Sequence, residues 1–522
     1  MDATNKLLNF GKKLNYIRFN FILRGVLVGI VAGFIVSLFR LAIEALLEGM
    51  KKLFGQLPST PSLWSIVIVF FLIVIFVNAK FLKKEPHISG SGIPQVEGQL
   101  LGMLELKWWP VLWRKWLGGV LAIGSGLFLG REGPSIQLGA AAGQGLAEHF
   151  KLDQTARRCL IAGGAAAGLS AAFNAPIAAS LFIVEEVYHN FSPYIWTTAL
   201  SAAVTANFVA FNFFGLTPVL HMQQKITFPI AAYGHLIVLG VVLGFLGLLY
   251  EYLTLNCSKF YQRLSFLQPR FYSVIPLLCL PLIGIFWPIA LGGGNGLIVA
   301  LPTLDLTTKA LCFLFILRLL FSTLSYGSTL PGGIFLPILT LGALIGALYF
   351  KVAHASGLLA DGLMINCIIY AMAGYFACIG KAPFTAILLV TEMVGTLEHL
   401  MPLALVSLTA YTVCDIFHGR PIYEAMLAKM TNEPKILALR SGQQDRFEYP
   451  IFAGSKLQDR AVKDIAWPKD CLILALRRGE TEYIVHGDSV MKAGDTLVIL
   501  TTQSARMRIN EELTRLSALG EN

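Results

Sequence analysis

Two glutamates stand among apolar residues in ways that carry chemistry. Glu132 lies in Gly130-Arg131-Glu132-Gly133-Pro134, and Glu186 is the second acid of Glu185-Glu186, at the end of an Ala-rich apolar segment. A carboxylate inside hydrocarbon is costly, and one that is kept there commonly marks an ion or proton route. Three Gly-rich turns accompany the acids: Gly90-Ser91-Gly92-Ile93-Pro94, Gly130–Pro134 and Gly332–Pro337. Turns that open helices leave backbone N–H groups unpaired at the positive end of the helix dipole, where an anion is favoured. Three such starts converging would hold a small anion without a full positive charge, which suits transport because a Lys or Arg would bind it too tightly to release. Ser91 can donate its hydroxyl to an anion or merely cap its own helix. Arg131 reads as a direct ligand or as half of a structural ion pair, and we favour the pair.

The elements that position these residues follow from composition. The chain has 522 residues, 55% of them hydrophobic and 14% charged, where soluble chains carry roughly 25% charged residues. With a mean hydropathy of +0.66 it reads as a polytopic membrane protein. The net charge is +10, but Lys and Arg sit in the first twenty residues, at segment ends and in the tail, a pattern of membrane topology rather than nucleic-acid binding. Lys6, Lys12, Lys13 and Arg18 place the N-terminus on the cytoplasmic side; that segment is too long and mixed for the n-region of a cleaved signal peptide. The eight Cys show no C-x-x-C pair, so neither a disulfide framework nor a metal site is expected.

Apolar stretches of near-spanning length are Phe21–Leu47, Leu63–Leu82, Tyr194–Phe214, His235–Leu253, Val274–Leu291, Thr308–Leu324 and Leu400–Phe417. Between them lie pieces broken by Gly and Pro: Gly90–Pro94, Gly118–Gly145, Ala162–Val187, Pro331–Tyr349 and Ala371–Val394. Such breaks are tolerated in a bilayer only where protein buries them or where they line a cavity, so they read as half-helices around a polar site. Beyond Pro434, charge mixes with short strands, Arg446–Phe452, Cys471–Arg478 and Asp495–Leu500, followed by a helical pattern at Ser504–Leu516. That is a small soluble α+β domain.

The chain repeats itself. Gly130, Pro134, Leu138, Gly139 and Ala140 match Gly333, Pro337, Leu341, Gly342 and Ala343 at one constant offset. Ala175-Pro176, Ala179, Leu181 and Glu185 match Ala382-Pro383, Ala386, Leu388 and Glu392 at another. Duplicated halves with Gly/Pro-interrupted segments in corresponding places point at a transporter's binding site. Glu185 and Glu392 are shared and read as structural. Glu132 aligns with Phe335 and Glu186 with Met393, so these two acids exist in one half alone and read as functional.

An enzyme is not expected. There is no P-loop, no G-x-G-x-x-G after a strand, no H-E-x-x-H and no G-x-S-x-G, and Gly292–Gly296 opens no clear βαβ unit.

Gly90–Gln95 (GSGIPQ), Gly130–Pro134 (GREGP) and Gly333–Pro337 (GIFLP) resemble the signature motifs of the CLC chloride channel and transporter family, over about Ile22 to Lys429. The resemblance implies an all-α membrane domain (residues 1–430) of two inverted repeats, roughly 22–215 and 230–430, in a homodimer with one anion pathway per subunit. It implies that Ser91, the backbone N–H groups of Ile334 and Phe335, and the Tyr423 hydroxyl bind chloride. Glu132 matches the gating glutamate, and Glu186 the internal proton glutamate of the exchangers. Gln95 departs from the usual Glu, which reads as a local packing change.

The leading expectation is proton-coupled chloride exchange, with chloride and protons as substrates and no cofactor. A passive chloride channel is the alternative, discriminated by Glu186, because family channels commonly lack an acid there. Fluoride export is disfavoured because Ser91 keeps the chloride-type motif.

After a linker (431–442), residues 443–517 resemble the C-terminal domain of potassium-channel regulators, RCK_C or TrkA-C, where eukaryotic members usually carry CBS domains. That favours a prokaryotic plasma membrane with both termini cytoplasmic. It also implies a tail that pairs into dimers, either as a dimer-stabilising appendage with no ligand or as a sensor that binds a small nucleotide such as cyclic di-AMP, with Ile473 and Leu474 flanking a base and Arg478 and His486 near ribose or phosphate. Arginine suits both phosphate forks and base stacking.

Overall fold

The computed structural model describes residues 2–188, 192–222, 226–264, 267–431, 444–479, 481–502 and 505–517. The expected linker lies outside these apart from Thr431, as does Gln443. Two compact units part at Leu427/Ala428.

The larger unit is built from helices in two matching series. The first holds α1 (Asp2–Gln56), α2 (Leu63–Lys84), α3 (Ile93–Leu100), α4 (Trp108–Gly124), α5 (Glu132–His149), α6 (Gln154–Phe173), α7 (Pro176–Phe182) and α8 (Pro193–Phe214). The second holds α9 (Tyr233–Gln262), α10 (Val274–Phe286), α11 (Asn295–Ala300), α12 (Thr308–Gly327), α13 (Phe335–Ala355), α14 (Met364–Gly380), α15 (Pro383–Val394) and α16 (Leu400–Ile416). A last short helix, α17 (Ile422–Thr431), follows. Packing repeats with the order: α5 lies on α6 as α13 lies on α14, and α1 lies on α8 as α9 lies on α16.

Local chemistry is duplicated too. Helix α6 ends at Asn174 (φ 55°) and α14 at Lys381 (φ 57°), left-handed residues that stop a helix and satisfy its last carbonyls. Pro176 and Pro383 then take first-turn positions in α7 and α15, where a missing N–H costs nothing. Helices α5 and α6 meet at small residues: a Cβ on Gly139 would fall 2.0 Å from the Gly164 carbonyl oxygen, and one on Gly164 would fall 2.1 Å from that of Gly139. Backbones approach that closely only where side chains are absent, the usual device of helix packing in lipid.

Among the described residues seven helices are long and apolar enough to span a membrane. Six coincide with apolar stretches read from the sequence. The seventh is Phe335–Ala355, expected as a broken piece; its break lies at the Gly-rich turn before Phe335 and not inside the helix. Leu400–Ile416 is a shorter apolar helix, and the stretch Val274–Leu291 is interrupted where Pro288 follows Trp287.

The smaller unit is a four-stranded antiparallel sheet, β1 (Gln444–Pro450), β2 (Leu472–Arg478), β3 (Thr481–Ile484) and β4 (Thr496–Thr502), in the order β1-β4-β2-β3. Phe447 pairs with Ile499 and Tyr449 with Leu497, while a bulge between Ile473 and Ala475 shifts the β2 register against β4. Helix α18 (Arg506–Ser517) places Ile509 and Leu513, one turn apart, into the core with Phe447, Leu476, Leu497 and Ile499.

Candidate anion and proton site

The three Gly-rich turns are tied into one structure. Gly90 donates to the Leu330 carbonyl (3.2 Å) and accepts from Gly332 (3.0 Å), while Gly130 and Gly333 each donate to the other at 2.7 Å. The starts of α3, α5 and α13 therefore converge, each bringing unpaired N–H groups and a positive dipole end. Gly90 and Gly92 take φ of +61° and +97°, a left-handed turn that side-chain-bearing residues avoid.

Two buried cations hold the carbonyls behind these turns. Lys115 Nζ donates to the Ile88 (2.9 Å) and Gly90 (2.7 Å) carbonyls. In the other half Arg318 Nη1 donates to Ala290 and Gly292, both at 2.8 Å, and Nη2 donates to Gly293. Both side chains are fully buried. Sequence reading passed over these residues, yet Lys115 and Arg318 keep the offset that relates Gly130 to Gly333, and extending the repeat would have found them. The same extension explains Gly292–Gly296, which opens α11 as Gly90–Pro94 opens α3.

Polar groups without protein partners gather at the convergence. The hydroxyls of Ser91 and Tyr423 are buried and unpaired. Ser91 Oγ faces the backbone of Gly133, where a Cβ would fall 2.2 Å away, so it is not spent on capping α3. Buried hydroxyls are normally hydrogen-bonded, and each of these two can donate to an anion held between the helix starts. Ile334 and Phe335 open α13 in the buried interior. From Tyr423 an aromatic wall runs through Phe182 (centroids 6.2 Å) to Phe335 (5.7 Å) and Phe376 (4.3 Å from Phe335).

Glu132 reaches back into this place. Its carboxylate is fully buried, and its Oε2 lies where a Cβ on Gly130 would collide with it at 2.3 Å. The backbone N–H groups of Glu132 and Leu336 act on the carboxylate, although neither oxygen has a partner in good hydrogen-bond geometry. Arg131 Nε is 4.0 Å from Glu132 Oε1, and Arg131 Nη1 donates to Glu44 Oε1 at 2.5 Å. Arg131 is thus an ion-pair member, with a partner that sequence reading missed; the signal was an ionisable Arg40/Glu44 pair at i, i+4 within an apolar span.

Glu186 lies in a π-helical turn, Ile183–Val187, that continues α7 and packs against α3; such turns often mark functional positions. It is 3% exposed, and Glu97 (1% exposed) and Glu424 act on it electrostatically. Its neighbour Glu185 does something else. It accepts from the Phe384 and Thr385 N–H groups (3.3 and 2.8 Å) and from Thr385 Oγ1 (2.6 Å), at the start of α15. Glu392 reciprocally accepts from Ile177 (3.1 Å) and Ala178 (2.8 Å), at the start of α7. Gln95 Nε2 donates to the Ser89 carbonyl at 2.7 Å, so the amide that replaces the usual acid braces the first turn.

In the tail, Ile473 pairs with Ile499 and Leu474 sits at the bulge. Arg478 lies five residues along β2 from Ile473, roughly 16 Å at the rise of a strand. It forms a bidentate pair with Asp495 (2.7 Å twice), which raises its pKa further. His486 is in a turn, its N–H donating to Ser489 Oγ at 3.0 Å. The four residues are not brought to one point within the subunit.

Inverted halves that exchange helix N-termini and share one buried site define a membrane transport protein. Its family is recognisable directly. The family model described as voltage gated chloride channel matches residues 70–415, and the TrkA-C domain matches residues 446–514. The chain belongs to the voltage gated chloride channel, or CLC, family and carries a C-terminal TrkA-C domain. It is 32% identical to the H(+)/Cl(-) exchange transporter ClcA of Vibrio cholerae serotype O1 over 450 residues, 83% of this chain and 94% of the relative. A slow cyanobacterial Cl-/H+ antiporter superposes with a TM-score of 0.73 at 29% identity, covering 79% of this chain and 98% of that one. A CLC-type fluoride/proton antiporter shares the fold, with a TM-score of 0.62 at 24% identity over 78% of this chain and 97% of its own.

Proposed function

We propose that this protein exchanges chloride for protons across a prokaryotic plasma membrane. The observation that carries the reading is the Glu132 carboxylate lying among the converging helix starts, beside the N–H of Leu336. A carboxylate there does what an anion does. Protonation removes its charge and its claim on the positive dipole ends, so it yields to chloride; deprotonation returns it. Ser91 and Tyr423 donate hydroxyls to the central chloride, and Ile334 and Phe335 donate backbone N–H groups. Glu186 takes protons on the other flank and passes them toward Glu132. Chloride and fluoride exchangers share this fold, and Ser91 favours chloride. The likeness to relatives described as H(+)/Cl(-) exchangers supports the pairing of substrates.

The test is transport in liposomes. A chloride gradient should drive protons uphill through the purified protein, and chloride flux with no proton movement would establish passive conduction instead.

The protein is further proposed to be a homodimer with one pathway per subunit, both termini cytoplasmic, as the basic N-terminal residues favour. Its TrkA-C domain is proposed to bind cyclic di-AMP and so to regulate transport, by favouring one tail geometry over another. Calorimetry of the full-length protein with cyclic di-AMP tests this, and no binding at tens of micromolar would reduce the domain to a structural role.

A further inference from the structure

A cavity of about 450 Å³ opens beside α1 and is lined by Glu44, Glu48, Lys51, Arg131, Asn295 and Leu336, among others. Glu44 lies about 37 Å along α1 from Phe19 at the helical rise, so the cavity is on the side opposite the basic N-terminus. One oxygen, Glu44 Oε1, accepts from two guanidinium groups: Arg131 Nη1 at 2.5 Å and Arg40 Nε at 3.0 Å. Arg40 and Arg131 are 8% and 7% exposed, whereas the Glu44 side chain is 43% exposed. Arg40 also lies over the Phe214 ring, 3.7 Å from its centroid. Two buried cations stay side by side only with an anion between them. One of the two, Arg131, is the nearest cation to Glu132, with Nε 4.0 Å from Oε1.

The surroundings offer Glu44 no substitute. Glu48 and Lys51 on α1 line the cavity, but Glu48 acts on Lys51 and is not among the charges acting on Arg40, and the other lining residues carry no titratable group beyond Arg131. Helix α8 has no charged residue, and α10 has only Cys279. On α4, Lys115 is spent on Ile88 and Gly90, and Arg114 donates to Pro110. The charged start of α6, Arg157 and Arg158, is remote: its neighbour Leu160 packs on Val28, far back along α1.

We propose that Glu44 is a positioning residue for the gate. By holding Arg131 and Arg40 together at the cavity it fixes the electrostatic field at Glu132, and with it the pH, on the cavity side, at which Glu132 takes up its proton. The inference rests on the reading of Glu132 as the proton-operated gate. Without the Glu44 charge, two unbalanced guanidinium groups favour the Glu132 carboxylate, and more acid is needed to displace it.

The experiment is chloride flux in liposomes against pH on the cavity side. Glu44→Gln should move the half-activation point acidward by roughly one to two pH units. Glu44→Asp, which keeps the charge, should stay within about half a unit of the parent. Arg40→Gln, which removes a cation, should move it alkaline. On a Glu132→Gln background Glu44→Gln should change nothing in the pH profile, because an effect that persisted without the Glu132 carboxylate would require a second titrating gate. Unshifted profiles for Glu44→Gln, with Glu132→Gln still abolishing pH dependence, overturn the inference alone. If Glu44→Gln does not yield folded protein, an unmoved Arg40→Gln profile does the same. A Glu132→Gln protein that keeps its pH dependence removes the gate reading and this inference with it.

Discussion

Gly130 and Gly333 exchange both of their backbone hydrogen bonds, each N–H donating to the other's carbonyl at 2.7 Å in an antiparallel bridge. They are also repeat counterparts, and a residue can exchange both bonds with its own counterpart only at a two-fold axis. The reciprocal caps from Glu185 to α15 and from Glu392 to α7 obey the same axis. Symmetry therefore builds the site's frame, and the chemistry enters where symmetry is broken. Glu132 stands opposite Phe335, and Glu186 opposite Met393.

The first prediction follows from that asymmetry. Glu186→Gln should abolish proton movement while chloride still flows, and Glu132→Gln should leave chloride flux insensitive to pH and uncoupled from protons. Flux of both ions in the same liposomes measures this. A Glu132→Gln protein with pH-dependent exchange would place the gate elsewhere.

Much of this was legible in the sequence because repeats, glycines and lone acids are local signals. The offset between Gly130 and Gly333 and the Glu185/Glu392 match are visible in the residues alone. What escaped was of two kinds. Lys115 and Arg318 pair with carbonyls, which every residue has, so their partners leave no mark in the sequence. Glu44 answers to Arg131, 87 positions away, and long-range pairs of that kind leave no mark in a single sequence. In the tail, β3 is not among the strands expected from the sequence, because its four residues, Thr481–Ile484, are too short for alternation to show.

Selectivity gives a second prediction. The Ser91 hydroxyl is buried and unpaired, and its backbone N–H acts on the Tyr326 hydroxyl. Ser91→Pro removes both donors and should shift preference from chloride toward nitrate. Ser91→Ala removes the hydroxyl alone and separates the two contributions. A chloride-to-nitrate ratio unchanged in both would count against Ser91 as a ligand.

The reciprocal caps predict stability rather than transport. Glu392→Ala leaves the Ile177 and Ala178 N–H groups without their acceptor at the start of α7, which should cost about 1–2 kcal/mol. Because α7 leads directly into the π turn that carries Glu186, the loss should also reduce proton coupling. Thermal unfolding in detergent, followed by the proton-to-chloride ratio, checks both. Glu392→Gln keeps one acceptor and should fall between.

The last prediction concerns the tail. Arg478 can meet a nucleotide phosphate only by leaving Asp495, whose two oxygens it occupies at 2.7 Å each. Asp495 is 1% exposed and also accepts from the Lys492 N–H at 2.7 Å, so it is fixed in place and the arginine is the partner that must move. A side chain engaged in this way lowers the apparent affinity for any competing anion by the fraction of molecules in which it is free. Asp495→Asn keeps the shape and one acceptor oxygen but withdraws the negative charge, which weakens a charge-assisted bidentate pair more than it disturbs the turn. If Arg478 contacts cyclic di-AMP, Asp495→Asn should tighten binding several-fold, and Asp495→Asn combined with Arg478→Gln should abolish the gain. Calorimetry of the full-length protein with cyclic di-AMP reads both. Equal dissociation constants for the parent and the Asp495→Asn protein would mean that Arg478 serves the fold of the tail and not its ligand.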